Sequence, residues 1–278
     1  MRKNKLVAPV LKWVGGKRQL LPTLIPFLPT QITTYCEPFV GGGALLFNLQ
    51  PPIAYINDIN EELIRVYTVI KNDVNALIDE LQKHKNNEEY FYWVRDWDRD
   101  KEKYLQLTDV QKAARTLYLN KTCYNGLFRV NNAGEFNSPF GSYKNPNIVN
   151  APTLKAVSIY LNTAKIHFSS LDYKKAFSLI PKNSFVYIDP PYDPVSETAN
   201  FTGYTKSGFT REDQVNLREQ CDELNKKGVK FMVSNSATAF IRDQYSMYNI
   251  NIVRAKRSIN SISTKRGEVD EVVIRNYE

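Results

Sequence analysis

The tetrapeptide Asp189-Pro190-Pro191-Tyr192, set directly after the apolar run Phe185-Val186-Tyr187-Ile188, constrains the fold of this chain more than any other feature. Consecutive prolines have fixed φ and no N–H, so neither a strand ladder nor a helix runs through them. The strand before them must end there. In open α/β sheets ligands bind beyond the carboxyl ends of the strands, which is where this tetrapeptide falls. A carboxylate, a proline carbonyl and an aromatic plane suit a planar ring bearing an NH2 group: each amine hydrogen takes one acceptor and the ring stacks on Tyr192. Taken alone, the same residues could be a plain Asp-Pro-Pro turn after a strand.

The rest of the chain reads as α/β in two blocks. In the first, residues 1–60, strands are predicted at Thr33–Phe39 and Ala54–Asp58, with a helix at Ala44–Leu49 between them. In the second, residues 152–278, strands are predicted at Lys165–Phe168, Phe185–Asp189, Val229–Ser234, Ile250–Arg254 and Glu271–Tyr277. Thr210 with Asp213 predicts a capping box for a helix burying Leu217, Cys221 and Leu224 and closed by Gly228. Strands alternating with helices imply a largely parallel, doubly wound sheet. Residues 61–151 differ in texture. Helices are predicted at Glu61–Ile70 and Val74–His84 and from Thr108, where Gln111 closes a second capping box. The mixed charges of Asp96–Lys103 predict a solvated face, and 122–148 breaks into Asn, Gly, Pro and aromatics. An inserted domain with a long functional loop accounts for this better than a continued sheet.

Bulk properties narrow the classes. The 278 residues, 42% hydrophobic and 24% charged, describe an ordinary globular chain of one or two domains. No stretch approaches the ~20 uninterrupted apolar residues of a membrane helix. The basic start Met1–Lys5 lacks an apolar run and a cleavage site, so a cytoplasmic location is expected. Cys36, Cys123 and Cys221 have no paired spacing, and with only His84 and His167 available no metal site is expected. A net charge of +8 favours a polyanionic partner, nucleic acid first.

Glu37-Pro38-Phe39-Val40-Gly41-Gly42-Gly43, followed by Asp58, repeats the logic of a nucleotide site. Glycines after a first strand admit close backbone approach, and a carboxylate ending the next strand can bind ribose hydroxyls. The G-x-G-x-x-G fingerprint is missing, which suits a nucleoside without pyrophosphate, such as S-adenosylmethionine. Lys12-Trp13-Val14-Gly15-Gly16-Lys17 is either a phosphate cradle or a basic turn packed by tryptophan, since it lacks the length and the Ser/Thr of a P-loop.

Lys12–Lys17, Phe39–Gly42, Asp58 and Asp189–Tyr192, in this order and spacing, resemble the DNA adenine methyltransferases of the Dam type across essentially the whole chain. The resemblance implies a seven-strand S-adenosylmethionine-dependent methyltransferase sheet (1–60 and 152–278) interrupted by a mainly helical target-recognition domain (61–151). It implies cofactor contacts at Trp13, Lys17, Phe39, Gly41, Asp58, Asp172, Tyr173 and Asp189, and a flipped base held by Asp189, Pro190, Pro191 and Tyr192. Between Arg115 and Lys144 four basic residues and one acid are interleaved with six aromatics and five asparagines. Arginine can read guanine, asparagine adenine, and aromatics can wedge into an opened stack. By resemblance this is a recognition hairpin for GATC: Arg129 reads guanine, Asn125, Leu127 and Pro139 contact neighbouring bases, Tyr124 flanks the gap, and Lys12 and Tyr143 also touch DNA. Ser142 stands where many relatives carry an arginine. Arg254–Arg266, with five basic residues and no acid, is a further candidate phosphate contact or an ordinary solvated loop.

The expectation is therefore N6 methylation of adenine in double-stranded DNA by a monomer, in a restriction–modification system. Methylation of another planar amine (cytosine, RNA, a glutamine side chain), a DNA-binding relative without catalysis, and a nicotinamide-dependent oxidoreductase are the alternatives.

Overall fold

The computed structural model describes residues 3–195, 209–256 and 268–278. Seven strands form one sheet: β1 (Thr34–Glu37), β2 (Ile53–Asn57), β3 (Lys165–Ser169), β4 (Ser184–Ile188), β5 (Lys230–Ser236), β6 (Asn249–Lys256) and β7 (Glu268–Arg275). Their order is β3-β2-β1-β4-β5-β7-β6. The first five in that order run parallel, and β7 lies antiparallel between β5 and β6. Strand order reverses between β1 and β4, a topological switch point of the kind where open α/β sheets bind ligands.

Side-chain alternation builds the two faces. Tyr35, Phe185, Tyr187, Met232 and Val273 pack on one side, among residues of the helices Ala44–Leu49, Glu61–Asn72 and Ala151–Thr163. Cys36, Val186, Ile188, Phe231, Val233, Val272 and Ile274 pack on the other, against the helices Tyr173–Ser178, Arg211–Lys226 and Ala239–Gln244. The doubly wound arrangement read from the sequence is the one observed.

Strand ends shift for identifiable reasons. β1 stops at Glu37, before the predicted Phe39, because Pro38 cannot donate to the ladder. β7 opens earlier than predicted because β6 pairs it out to Glu268. Both capping boxes form, Thr108 with Gln111 and Thr210 with Asp213, and Leu217, Cys221 and Leu224 are buried. Six α-helices among the described residues have no counterpart in the sequence prediction: Leu21–Leu24, Glu88–Arg95, Lys101–Gln106, Ala151–Thr163, Tyr173–Ser178 and Ala239–Gln244. Glu88–Arg95 and Lys101–Gln106 are capped by the Asn87 and Asp100 side chains, whereas Ala151–Thr163 starts without a side-chain cap on an early proline.

One expectation is corrected outright. Asp96–Lys103 is not simply a solvated face, because Asp98 is 8% exposed. Alternating charge signs look like solvated pairs in one dimension, but Asp98 is turned inward to meet Arg115, 17 residues further along the chain, at 2.8 Å.

The helices of the segment between β2 and β3 share a core with the sheet: Leu77, Phe91 and Leu117 belong to the same cluster as Tyr35 and Tyr187. All three cysteines are buried and unpaired. Among the described residues no helix is long and apolar enough to cross a membrane. Most of the basic run Arg254–Arg266, from 257 on, lies outside the described residues.

Candidate active site

The carboxyl ends of β1, β2 and β4 converge at the switch point, each delivering an acid. β1 ends on Glu37, which is buried and accepts a 2.8 Å hydrogen bond from the Tyr35 hydroxyl. Burial pushes its carboxyl well above the usual carboxylate range, and the nearby charges of Asp189 and Asp58 add to this. No local motif assigns Glu37 a role. Its signal was position, as the last residue of an otherwise apolar first strand.

After Glu37 the chain turns through the glycines. Gly41 has φ +47°, and a Cβ placed there would lie 2.7 Å from Trp13 Cδ1. The missing side chain is therefore what lets Trp13 lie on the loop. Asp58, just past β2, clasps the same loop: its Oδ2 accepts the Gly41 N–H at 2.9 Å and its Oδ1 accepts the Asn60 N–H at 3.0 Å. Tyr67 donates to the Gly41 carbonyl at 2.7 Å. Burial raises the Asp58 carboxyl to about 6, with the two amide hydrogen bonds acting in the opposite direction. Each carboxylate oxygen has two lone pairs, so acceptor capacity remains for a sugar hydroxyl. On the other side of β1, Phe39 packs against Tyr173 (ring centroids 5.5 Å), and both meet Phe209. Asp172 is exposed and caps the helix Tyr173–Ser178 through Lys174 N–H.

β4 delivers Asp189. Its Oδ1 lies 2.9 Å from Lys17 Nζ, and Lys17 is only 7% exposed. That oxygen is buried and has no hydrogen-bond partner of good angular geometry, so the contact is an ion pair that leaves a lone pair uncommitted. The same ammonium donates to the Gly15 carbonyl at 2.7 Å and sits 4.5 Å from the centroid of the Tyr192 ring. Burial lifts the Asp189 carboxyl to about 6, and Lys17 is the largest influence holding it down. Tyr192 donates to Glu271 Oε2 on β7 at 2.9 Å. Burial and the charges of Asp189 and Glu271 push its hydroxyl well above the usual tyrosine range, so it stays protonated. Glu271 was not foreseen, because its strand lies some eighty residues away and carries no local motif.

The turn itself is braced from below. The Pro191 carbonyl accepts from Gln214 Nε2 at 2.8 Å. Asp193, fully buried at its carboxylate, accepts from Thr238 Oγ1 at 2.8 Å and pairs with Arg211 at 3.0 Å. Its amide donates to Asn235 and its carbonyl accepts from Ser236. Among the described residues no donor takes the Pro190 carbonyl. Asp189 Oδ1, engaged by the Lys17 ammonium alone, and this carbonyl are thus acceptors beside the Tyr192 ring that no hydrogen bond takes.

Trp13 joins this centre to the segment that follows Cys123. Its ring stacks on Phe128 at 5.0 Å and 24°. Lys12 is held through its backbone by Asn120 (2.9 and 2.7 Å), and its stem fills the space beside Gly126, where an added Cβ would lie 2.5 Å from Lys12 Cδ. Its ammonium lies 5.8 Å from the Tyr143 ring centroid. From Cys123 the chain forms a small hairpin bridged at Cys123–Phe140 and Val130–Phe136. Tyr124 (56% exposed), Asn125, Arg129 and Pro139 lie on its surface, and Leu127 and Tyr143 are half-buried. Asn125 has φ +57°. Tyr124 N–H donates to the Pro139 carbonyl, and Arg129 is held by Asn137 through Oδ1 (2.7 Å) and the carbonyl (3.2 Å). Ser142 adopts φ +52°, unusual for a residue with a side chain. Among the described residues no group of three or more His, Cys, Asp or Glu is gathered to hold a metal.

Comparison with known proteins decides the family. The model of the D12 class N6 adenine-specific DNA methyltransferases matches residues 13–259. The chain belongs to the D12 class of N6-adenine-specific DNA methyltransferases. It is 42% identical to the type II methyltransferase M1.LlaDCHI of Lactococcus lactis subsp. cremoris, over 100% of this chain and 98% of that one. It is 43% identical to the type II methyltransferase M.MjaIII of Methanocaldococcus jannaschii, over 98% and 99%. A DNA adenine methylase of Escherichia coli is 33% identical, over 98% and 95%. As a D12 methyltransferase the chain uses S-adenosylmethionine and acts on DNA, and the glycine loop, Trp13 and Asp58 fit a nucleoside that brings no phosphate.

Proposed function

We propose that this enzyme methylates N6 of adenine within GATC in double-stranded DNA, acting as a cytoplasmic monomer and as the modification partner of a restriction–modification system. The observation that carries the chemistry is the Lys17 ammonium, 2.9 Å from Asp189 and 4.5 Å from the Tyr192 centroid. This ammonium presents acidic hydrogens to the same carboxylate and the same ring that an exocyclic amine would use.

S-adenosylmethionine bound against Trp13, Phe39, Gly41, Asp58, Asp172 and Tyr173 supplies an electrophilic methyl group. Adenine does not reach this pocket inside a duplex, so the base is flipped out. Its amine then displaces Lys17, giving one hydrogen to Asp189 Oδ1 and one to the Pro190 carbonyl. The ring lies on Tyr192, whose plane is fixed by the Glu271 hydrogen bond. Accepting both hydrogens in this geometry pulls the nitrogen lone pair out of conjugation and makes it the nucleophile. No base removes a proton beforehand. As the N–C bond forms, the sulfonium S–CH3 bond would break with its electron pair kept by sulfur, leaving a neutral thioether, and the surplus proton on nitrogen would pass to Asp189, the adjacent acceptor.

Sequence choice belongs to the hairpin, with Arg129 on guanine and Tyr124, Asn125, Leu127 and Pro139 on neighbouring bases. Lys12 and Tyr143 complete the DNA surface. The Dam-type resemblance supports GATC, and the two relatives named as type II methyltransferases support the restriction–modification role. Methylating plasmid DNA with radiolabelled S-adenosylmethionine and mapping the modified base tests donor, acceptor and site together. N6-methyladenine in GATC is expected. Label at cytosine would refute the acceptor assignment, and N6-methyladenine in another sequence would refute GATC.

A further inference from the structure

We infer that Asp98 is a positioning residue for sequence recognition: it fixes the hairpin that carries Arg129 and thereby sets how strictly the enzyme discriminates its target. This rests on the reading of Arg129 as a base contact. The hairpin is short, and two-stranded hairpins are marginal by themselves. Its orientation must come from outside.

Asp98 and its neighbour supply that orientation. Asp98 Oδ2 accepts the Phe136 N–H at 2.8 Å, and Arg99 Nη2 donates to the Phe136 carbonyl at 2.7 Å. Adjacent side chains thus take both peptide groups of one residue, as a third strand would. Asp98 is in turn held by Arg99 and by Arg115, the latter 3% exposed and 2.8 Å away. Arg115 donates to the Val94 and Arg95 carbonyls, at 3.0 and 2.6 Å, in the last turn of the helix Glu88–Arg95. Its own helix, Asp109–Thr122, runs directly into Tyr124. Both ends of the recognition segment therefore refer to one buried ion pair.

Such a pair adds little net stability over apolar side chains of equal volume, since both charges lose their water. What it adds here is a fixed orientation. The residue after Phe136 is Asn137, which grips the Arg129 guanidinium at 2.7 and 3.2 Å and whose amide donates to the Arg129 carbonyl at 2.9 Å. The guanidinium is one residue from the clamp. Recognition geometry tolerates errors of only about 0.5 Å. Behind the hairpin lies a cavity of about 190 Å³ lined by Asp98, Tyr104, Arg115, Phe128, Val130 and Phe136. It gives the hairpin room to move when the clamp is cut.

The test compares Asp98→Asn, Arg99→Ala and Arg129→Ala for kcat/KM on duplexes carrying the mapped site and each of its single-base variants. The ratio between sequences is independent of the folded fraction, so a merely structural loss leaves it unchanged. Arg129→Ala identifies the base pair that this residue reads. At that pair Asp98→Asn is expected to lower discrimination by about tenfold. Arg99→Ala, at a half-exposed residue that folding tolerates, shifts it the same way, with S-adenosylmethionine affinity by calorimetry unchanged. The clamp proposal fails if Arg129→Ala loses discrimination while Asp98→Asn and Arg99→Ala both keep the parent ratio. Intact discrimination in Arg129→Ala would remove the base contact itself, and the clamp with it.

Discussion

Asp189 must be ionised to accept an amine hydrogen well, yet burial lifts its carboxyl to about 6. Above that pH the active anion dominates, and methylation falls as pH drops through it. Because kcat/KM reports groups of the free enzyme, its acidic limb is expected near pH 6. Lys17 is the largest influence lowering this group. Lys17→Met should therefore move the limb upward, whatever it does to the maximal rate. Asp58 also titrates at about 6, but Lys17 is not among the causes of its shift. An upward move thus assigns the limb to Asp189, and an unmoved limb rejects that assignment. Asp189→Ala removes an acceptor that acts on the reacting nitrogen, so a loss of roughly 100-fold or more in kcat is expected at the pH optimum. Near-parental turnover would end the mechanism. Of these residues, Asp189 and Tyr192 were legible because chemistry and local pattern coincide in four consecutive positions. Glu271 and Asp193 were not, since each acts through a contact made across strands or loops, and Glu37 was not, since only the convergence of the strand ends sets it near Asp58 and Asp189.

The glycine loop between β1 and the helix Ala44–Leu49 works as an element rather than a set of contacts. Trp13 lies on Gly41 from one side and on Phe128 from the other, so the glycine loop and the hairpin segment share one aromatic wall. Gly41→Ala puts a Cβ 2.7 Å from Trp13 Cδ1 and strains a residue at φ +47°, at a cost of about 1 kcal/mol or more. The expected result is at least about tenfold weaker S-adenosylmethionine binding by calorimetry, with the sheet intact by circular dichroism. Unchanged affinity would show that the wall does not shape the cofactor site. Element types were largely readable, because strand alternation, two capping boxes and the terminating glycine Gly228 are local signals. The helices Glu88–Arg95 and Lys101–Gln106 were hidden by their aromatic and mixed-charge composition. Asp98 was misread for the same reason: no periodicity announces a charge whose partner lies on another helix.

At the scale of the whole molecule, the chain reads as two segments and packs as one. Composition separates 61–151 from its flanks, because helix-forming and asparagine-rich stretches replace the strand–helix alternation. Packing does not respect that division. The helix Glu61–Asn72 lies against both Asp109–Thr122 and Ala151–Thr163, and buried residues of the insertion join those of β1, β2 and β4 in a single cluster. A sequence window cannot show this, since the joining contacts connect residues dozens of positions apart. Two independent cores would unfold separately, whereas one shared core removes support from both segments when either opens. Thermal unfolding followed by far-ultraviolet circular dichroism and by tryptophan fluorescence is therefore expected to give coincident transitions. Trp93 and Trp97 lie in the insertion and Trp13 at its junction with the sheet, so fluorescence weights the insertion while circular dichroism weights the whole. S-adenosylmethionine binds only the folded chain and should raise both midpoints together. A fluorescence transition that precedes the loss of sheet, or one the ligand leaves behind, would show the insertion to be an autonomous unit and Trp13 a mere point of contact.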